Sequence, residues 1–207
     1  MADAVAEPSV GSDRILTIPN LISAVRLACV PVFLWLLFAD HFAIAAWLLA
    51  GLGATDWVDG YIARHLNQGS ELGKILDPTA DRLMLLAAAV GMLATDVPSA
   101  VKLLSVLVLV REGVVAAATL ALAAAGARRI DVLWVGKAGT LAVMFSLPML
   151  LLAAHVGGGW HALLLVGGWG FGIPGTVLGY YAAAKYVPAA RAALKEGRDA
   201  RLAKAGA

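Results

Sequence analysis

The stretch from residue 56 to residue 81, DWVDGYIARHLNQGSELGKILDPTAD, places four aspartates in a chain that is otherwise almost continuously apolar. The whole chain is 61% hydrophobic and 14% charged, with a mean hydropathy of +0.83, which is typical of polytopic membrane proteins. Carboxylates are costly inside a membrane, and acids found there usually mark a site for an ion, a proton or a substrate. The stretch therefore predicts both a membrane fold and the position of its functional site.

Six apolar segments each reach about 20 residues, the length that an α-helix needs to cross the hydrocarbon core. They are residues 18–38, 42–64, 72–93, 100–125, 132–154 and 160–186. We expect an all-α polytopic membrane protein in which residues 14–187 form one catalytic domain of six transmembrane helices. Residues 1–13 are expected to form a disordered leader. Residues 188–207 are expected to form a basic cytoplasmic tail that either lies on anionic head groups or is simply solvated.

The basic residues predict the orientation of these helices. The connections around residues 40–41, 96–99 and 155–161 hold no Lys or Arg, whereas the opposite side of the bundle holds most of them. The positive-inside rule then places both termini and residues 56–81 on the cytoplasmic side of the plasma (inner) membrane. The net charge of +2 reflects this asymmetry and does not indicate nucleic-acid binding.

Acidic and small residues share one face of the second predicted helix. Their offsets of 0, 3, 4 and 7 stack them over two turns. They are Asp56, Asp59, Gly60 and Ala63. The small residues leave room for a ligand or a neighbouring helix to approach the backbone.

A second acidic face is predicted on the third helix. Gly73, Asp77 and Asp81 follow one another at intervals of four, so they share a face if the helix has begun by Gly73. Pro78 beside Asp77 implies either a kink or a position in the first helical turn.

Two antiparallel helices joined by a short connection at residues 67–70 would bring the four carboxylates together. Carboxylates this close repel one another unless some are protonated or cations compensate them. Ligation by oxygen alone suits Mg²⁺ or Mn²⁺, and two such ions about 3.5–4 Å apart can clamp a phosphoryl centre. Arg64 is placed to neutralise a phosphate. The pattern therefore indicates phosphoryl transfer at the cytoplasmic membrane face.

Two alternatives to phosphoryl transfer stay open at this point. An aspartate could form a structural ion pair with a cation from another helix, and the possible partners are Arg26, Arg82, Arg111 and Lys137. A proton- or cation-coupled transporter also uses acids within helices. It would be favoured by Gly/Pro-broken helices in corresponding positions of two repeated halves, and inspection shows no such pairing. The glycine-rich residues 167–179 are instead typical of close helix packing or of a dimer face.

The spacing D-x-x-D-G-x-x-A-R-x8-G-x-x-x-D-x-x-x-D resembles the signature of the CDP-alcohol phosphatidyltransferase family. Every fixed position of that signature is matched, by Asp56, Asp59, Gly60, Ala63, Arg64, Gly73, Asp77 and Asp81. Pro19-Asn20 before the first helix and Arg26 within it are further family-like features.

The resemblance implies a CDP-linked lipid donor, usually CDP-diacylglycerol, with CMP as a product. It also implies a divalent metal, two ions of Mg²⁺ or Mn²⁺, and a homodimer. The implied metal ligands are Asp56, Asp59, Asp77 and Asp81, and the residues around the cytidine nucleotide are Gly60, Ala63, Arg64 and Gly73. Asp81 would also act as the general base that deprotonates the acceptor hydroxyl.

The sequence indicates the acceptor alcohol less directly than it indicates the donor. Arg111, Lys137 and Thr140 resemble the acceptor-binding segments of family members that attach glycerol-type head groups. Alternatively, Arg111 and Glu112 merely neutralise one another or a neighbouring helix. No added basic cluster lies within the helices, which argues against an inositol-phosphate acceptor.

Gly139 stands where members that use glycerol 3-phosphate commonly carry a second lysine. Glycerol 3-phosphate is close to a dianion, whereas phosphatidylglycerol is a monoanionic diester, so a pocket with one cation fewer suits phosphatidylglycerol. We also expect Gly139 to leave room for a bulkier, membrane-borne acceptor. With the segments at residues 13–20 and 66–68, this favours resemblance to the actinobacterial members that form cardiolipin over those that form phosphatidylglycerophosphate.

Overall fold

The computed structural model describes residues 17–65, 73–124 and 134–205, without the side chains of residues 18–19, 56–65, 74–75 and 124 and of most residues after 185. These residues form six α-helices joined by short connections where the connections are described. The helices are α1 (Ile18–Phe38), α2 (Phe42–His65), α3 (Gly73–Ala94), α4 (Ser99–Ala124), α5 (Trp134–His155) and α6 (Trp160–Ala205). The all-α prediction is confirmed, and each helix begins at or close to the residue predicted from the apolar segments.

Within the described residues, four stretches are long and apolar enough to cross a membrane. They are Asn20–Phe38 of α1, Ser99–Ala123 of α4, the whole of α5 and Trp160–Lys185 of α6. In α2 the described residues Phe42–Thr55 form a shorter apolar stretch. Large apolar side chains, including those of Trp47, Leu120 and Val166, are exposed on the outside of the bundle. A soluble protein rarely presents so much apolar surface, so the described part of the chain has the character of a membrane protein.

Helix α1 begins with a defined cap. The Thr17 side-chain oxygen accepts a hydrogen bond from the backbone N–H of Asn20 at 3.3 Å, and Pro19 occupies the first turn. This cap satisfies one of the backbone donors that a helix leaves unpaired at its start, and Pro in the first turn costs no intrahelical bond. The start of α1 is thereby fixed.

The helices pack around α1, α3 and α5. Helix α1 contacts α2 and α3, and α5 contacts α2, α3 and α6, with the α5–α6 contact the most extensive. The core where these helices meet contains Phe33, Leu37, Met84, Met92 and Leu147, each less than 2% exposed.

Glycines in α6 allow the close contact with α5. A Cβ placed on Gly175 would lie 2.9 Å from the Ala142 Cβ, and one on Gly168 would lie 2.6 Å from a Leu150 methyl carbon. Gly170, by contrast, faces open space. The prediction that the glycine-rich sixth helix serves close packing is therefore confirmed within this chain.

Candidate functional site

Helix α2 carries the first half of the signature. Its backbone is helical through His65, so the predicted spacing over two turns is confirmed for this segment. The residues concerned are Asp56, Asp59, Gly60, Ala63 and Arg64, whose side chains lie outside the described part of the structure. Their roles therefore remain predictions.

Helix α3 carries the second half. It begins at Gly73, which is buried, so the condition for Asp77 and Asp81 to share one face is met. Pro78 lies inside the helix, beyond the first turn. Both aspartates are partly exposed, and the Asp81 side chain is 23% exposed. Their carboxylates are therefore accessible to a ligand.

Two buried side chains of α1 contact these aspartates. The Ser23 hydroxyl donates a hydrogen bond to Oδ1 of Asp77, and Arg26 Nη1 forms an ion pair with Oδ1 of Asp81. Ser23 and Arg26 are both completely buried. The sequence suggested Arg26 as a possible partner for an aspartate, and that pairing is confirmed.

Helices α1 and α3 run parallel, and the sequence offset between contacting residues is the same near their starts and near their ends. Ser23 meets Asp77 near their starts, and Leu37 lies against Gly91 near their ends, where an added Cβ would be 2.5 Å from the Leu37 methyl carbon. The same number of residues separates the two contacts on each helix. This register presents one polar face of α1 to the acidic face of α3.

Ser23 was not identified from the sequence. The sequence feature that could have identified it is the spacing of Asn20, Ser23 and Arg26. These polar residues recur every three residues on an otherwise apolar helix and therefore share a face. All three are buried. A polar stripe on a membrane-crossing helix needs partners inside the protein, and for Ser23 and Arg26 the structure supplies the aspartates of α3.

A second polar cluster joins α4 to α5. Arg111 forms an ion pair with the buried Glu112, and its Nη1 donates to the Thr140 hydroxyl oxygen at 3.1 Å. The same Thr140 hydroxyl donates to the Gly136 carbonyl oxygen at 3.1 Å. The structure thus brings Arg111 and Thr140 together, and the predicted mutual neutralisation of Arg111 and Glu112 is also observed. Lys137, the third predicted acceptor residue, is exposed.

A narrow cleft lies beside this cluster, between α3, α4, α5 and α6. Its lining includes Leu85, Arg111, Glu112, Thr140, Gly175 and Thr176. Leu85 follows Asp81 by one helical turn, so the cleft and the aspartates occupy consecutive turns of α3, about 6 Å apart along its axis. A molecule bound at Arg111 would lie close to the acidic site.

The expectation that Gly139 leaves room for a bulky acceptor is wrong. A Cβ at this position would lie 2.8 Å from the Gly175 carbonyl oxygen and 2.9 Å from the Gly179 backbone nitrogen. The space beside Gly139 is therefore filled by the backbone of α6. Lysine at this position would force α5 and α6 apart, so Gly139→Lys cannot test the charge of the pocket alone.

The donor chemistry at the acidic face fits a hard cation. Asp77 and Asp81 offer carboxylate oxygens, the ligands that Mg²⁺ and Mn²⁺ prefer. Among the side chains that the structure describes, no group of three or more His, Cys, Asp or Glu is close enough to hold a metal. The signature predicts that Asp56 and Asp59 of α2 complete the ligand set, and their side chains lie outside the described part of the structure.

Comparison with known proteins gives matches along most of the chain. The sequence profile of the CDP-alcohol phosphatidyltransferase family matches residues 16–174. The chain is 40% identical over 190 residues to "Cardiolipin synthase (CMP-forming)" of Streptomyces coelicolor, covering 88% of this chain and 86% of that protein. It is 37% identical over 169 residues to "Putative cardiolipin synthase" of Mycobacterium tuberculosis, covering 80% and 78%.

A shorter match involves a different acceptor. The chain is 41% identical over 78 residues to "CDP-diacylglycerol--glycerol-3-phosphate 3-phosphatidyltransferase" of Pseudomonas fluorescens, covering 36% of this chain and 40% of that protein.

Proposed function

Because the chain belongs to the CDP-alcohol phosphatidyltransferase family, we propose that it transfers a phosphatidyl group from CDP-diacylglycerol to phosphatidylglycerol, giving cardiolipin and CMP. That the chain is a phosphatidyltransferase of phospholipid biosynthesis follows from its family. The choice of acceptor is our proposal, and one observation carries it. The two bacterial relatives above that are named for cardiolipin align along 88% and 80% of the chain, whereas the Pseudomonas fluorescens relative named for glycerol 3-phosphate aligns along 36%.

The donor would bind between α2 and α3. We propose that the metal ligands are Asp56, Asp59, Asp77 and Asp81. When bound, Mg²⁺ or Mn²⁺ would supply positive charge at the pyrophosphate of the donor. The residues that surround the cytidine nucleotide in this proposal are Gly60, Ala63, Arg64 and Gly73. Arg64 would pair with a phosphate oxygen, since a guanidinium matches phosphate geometry with two parallel donors.

Asp81 would accept the proton of the acceptor hydroxyl. As that proton leaves, the hydroxyl oxygen forms a bond to the phosphorus of the phosphatidyl group, and the bond from this phosphorus to the CMP oxygen breaks. The leaving group is CMP. Partial exposure of the Asp81 side chain supports this role, because a buried carboxylate could not reach the substrate hydroxyl.

The acceptor would bind in the cleft beside Arg111. Arg111 offers donors to the phosphodiester, and Thr140 orients the guanidinium by accepting a hydrogen bond from its Nη1. Lys137 lies exposed one turn before Thr140 on α5. Glu112 offsets the charge of Arg111. The cleft therefore suits a monoanionic diester better than the dianionic phosphate of glycerol 3-phosphate.

We also propose that all six helices cross the plasma membrane, with the active site and both termini on the cytoplasmic side. The lack of Lys and Arg in the connections predicted to be external supports this orientation. Residues 14–187 would form the catalytic domain, followed by the basic segment of residues 188–207. The segment predicted for residues 1–13 lies outside the described residues. A homodimer is proposed from the family resemblance.

Phosphatidylglycerophosphate synthesis is the second candidate, because a relative named for transfer to glycerol 3-phosphate matches part of the chain. The two candidate functions are distinguished by incubating purified protein in liposomes with CDP-diacylglycerol and Mn²⁺. Either phosphatidylglycerol or glycerol 3-phosphate is supplied as the only acceptor. Our proposal expects CMP release with phosphatidylglycerol. CMP release with glycerol 3-phosphate alone would identify the second candidate. Release with neither would contradict both.

A further inference from the structure

Helix α1 contacts the acidic site through two polar side chains. Ser23 and Arg26 lie three residues apart in an apolar, membrane-crossing helix and are completely buried. Each contacts a different aspartate of the signature through Oδ1. Since α1 and α3 are parallel, the two contacts lie on consecutive turns of the same interface.

We propose that Ser23 and Arg26 are positioning residues, which hold the Asp77 and Asp81 carboxylates in the orientation that the reaction requires. This inference rests on the proposed function of the aspartates. Groups that hydrogen-bond to a ligating carboxylate fix its rotamer, and their loss typically weakens metal affinity or activity about 10–100-fold. The side chains of α1 would thus complete a site whose reacting residues all lie on α2 and α3.

The two contacts differ in charge, which separates their expected effects. Ser23 is neutral, so it orients Asp77 and leaves the whole negative charge of that carboxylate available to a cation. Arg26 is a cation, so it both orients Asp81 and offsets part of its charge. Loss of the Ser23 hydroxyl should therefore weaken metal binding, whereas a change at Arg26 should chiefly reduce the rate of turnover.

A purely structural role for the two side chains is the rival hypothesis. A buried ion pair is weak evidence for a stabilising role, because apolar residues of similar volume often replace such a pair without loss. Both donors instead contact acids of the signature, which favours a role at the site. The Mn²⁺ affinity and the turnover rate, each measured separately from protein stability, distinguish a positioning role from a purely structural one.

The first test compares Ser23→Ala with Ser105→Ala in the full-length protein in detergent. Ser105 is also completely buried, but it donates to the Val101 carbonyl oxygen of its own helix at 3.0 Å. Binding of Mn²⁺ alone is followed by the loss of the free-ion signal in electron paramagnetic resonance. We expect Ser23→Ala to raise the Mn²⁺ Kd by about tenfold and Ser105→Ala to leave it unchanged. Equal Kd values in both variants and the natural protein would overturn the role of Ser23.

The second test uses Arg26→Lys, which keeps the charge but loses the planar fork of donors. We expect kcat to fall about tenfold while the KM for CDP-diacylglycerol and the Mn²⁺ Kd stay within twofold of the natural values. An unchanged kcat would overturn the role of Arg26. Natural protein that neither binds Mn²⁺ nor releases CMP would instead refute the proposed function, so the two failures are distinguishable.

Discussion

Gly139 on α5 faces Gly175 on α6 so closely that a Cβ at position 139 would lie 2.8 Å from the Gly175 carbonyl oxygen. A separation under 3 Å from rigid backbone cannot be relieved by a rotamer change, so the helices themselves must move apart. The same seam borders the cleft that contains Arg111 and Thr140. Packing of α5 against α6 therefore determines the shape of the candidate acceptor site.

Gly139→Ala is predicted to destabilise the protein, because overpacking of a close contact costs about 1–3 kcal/mol. Gly170→Ala is the matched control, since a Cβ at Gly170 meets nothing within 4 Å. Alanine at an open helical position should stabilise slightly, by about 0.5–1 kcal/mol. Thermal unfolding in detergent measures the change in stability of both variants. Equal shifts in the two midpoints would show that Gly139 is not closely packed.

Asp81→Asn is predicted to abolish most turnover while the protein remains folded. The amide cannot accept the hydroxyl proton, and loss of general base catalysis typically costs about 10²–10⁴ in rate. Asp96→Asn serves as the control, because Asp96 is exposed in the connection between α3 and α4. The assay is CMP release at saturating CDP-diacylglycerol. An Asp81→Asn enzyme with a natural kcat would show that another group takes the proton.

Thr140→Val is predicted to weaken acceptor binding. The substitution keeps the shape of the side chain but removes the oxygen that accepts from Arg111 at 3.1 Å, so the guanidinium loses a group that orients it. Loss of one such hydrogen bond to a charged group is worth about 1.5–3 kcal/mol, which is about 10- to 100-fold in the KM for the acceptor.

Thr119→Val is the control for this variant, because the Thr119 hydroxyl donates to the Val115 carbonyl oxygen of its own helix at 2.8 Å. The KM for CDP-diacylglycerol should stay unchanged in both variants. If the KM of the donor rises instead of that of the acceptor, the cleft at Arg111 belongs to the donor.

The orientation of the bundle is tested with single cysteines. Cys29→Ser removes the one native thiol, and Asp96→Cys or Lys195→Cys then adds a thiol at an exposed position on either side. A membrane-impermeant maleimide should label the Asp96→Cys protein in intact cells, and the Lys195→Cys protein only after permeabilisation. The reverse pattern would place the aspartates on the outer side and contradict a cytoplasmic site.

The apolar segments predicted the helices well because the requirement to cross a bilayer leaves a strong signal in segment length. They did not predict that α6 continues to Ala205. Residues 186–205 are rich in Ala, Leu, Lys and Arg, which favour a helix, but they lack the hydropathy by which the earlier segments were recognised.

The aspartates of α3 could be predicted because their spacing is a local property of one helix. The sequence did not identify Ser23 as the partner of Asp77, and it gave Arg26 only as one of four possible partners for an aspartate. The reason is that the approach of α1 to α3 depends on tertiary packing. The surroundings of Gly139 could not be predicted from the sequence for the same reason. A glycine is compatible with open space and with close packing, and only the position of α6 decides between them.

The central claim is that the phosphatidyl group is transferred to a lipid acceptor, and a competition experiment tests it most directly. Liposomes that contain the protein, CDP-diacylglycerol and phosphatidylglycerol are supplied with Mn²⁺ and excess glycerol 3-phosphate, and the lipid products are identified by mass spectrometry. Protein with Asp81→Asn controls for uncatalysed products. We predict that cardiolipin accumulates with CMP in equal amounts. Accumulation of phosphatidylglycerophosphate in place of cardiolipin would contradict the claim.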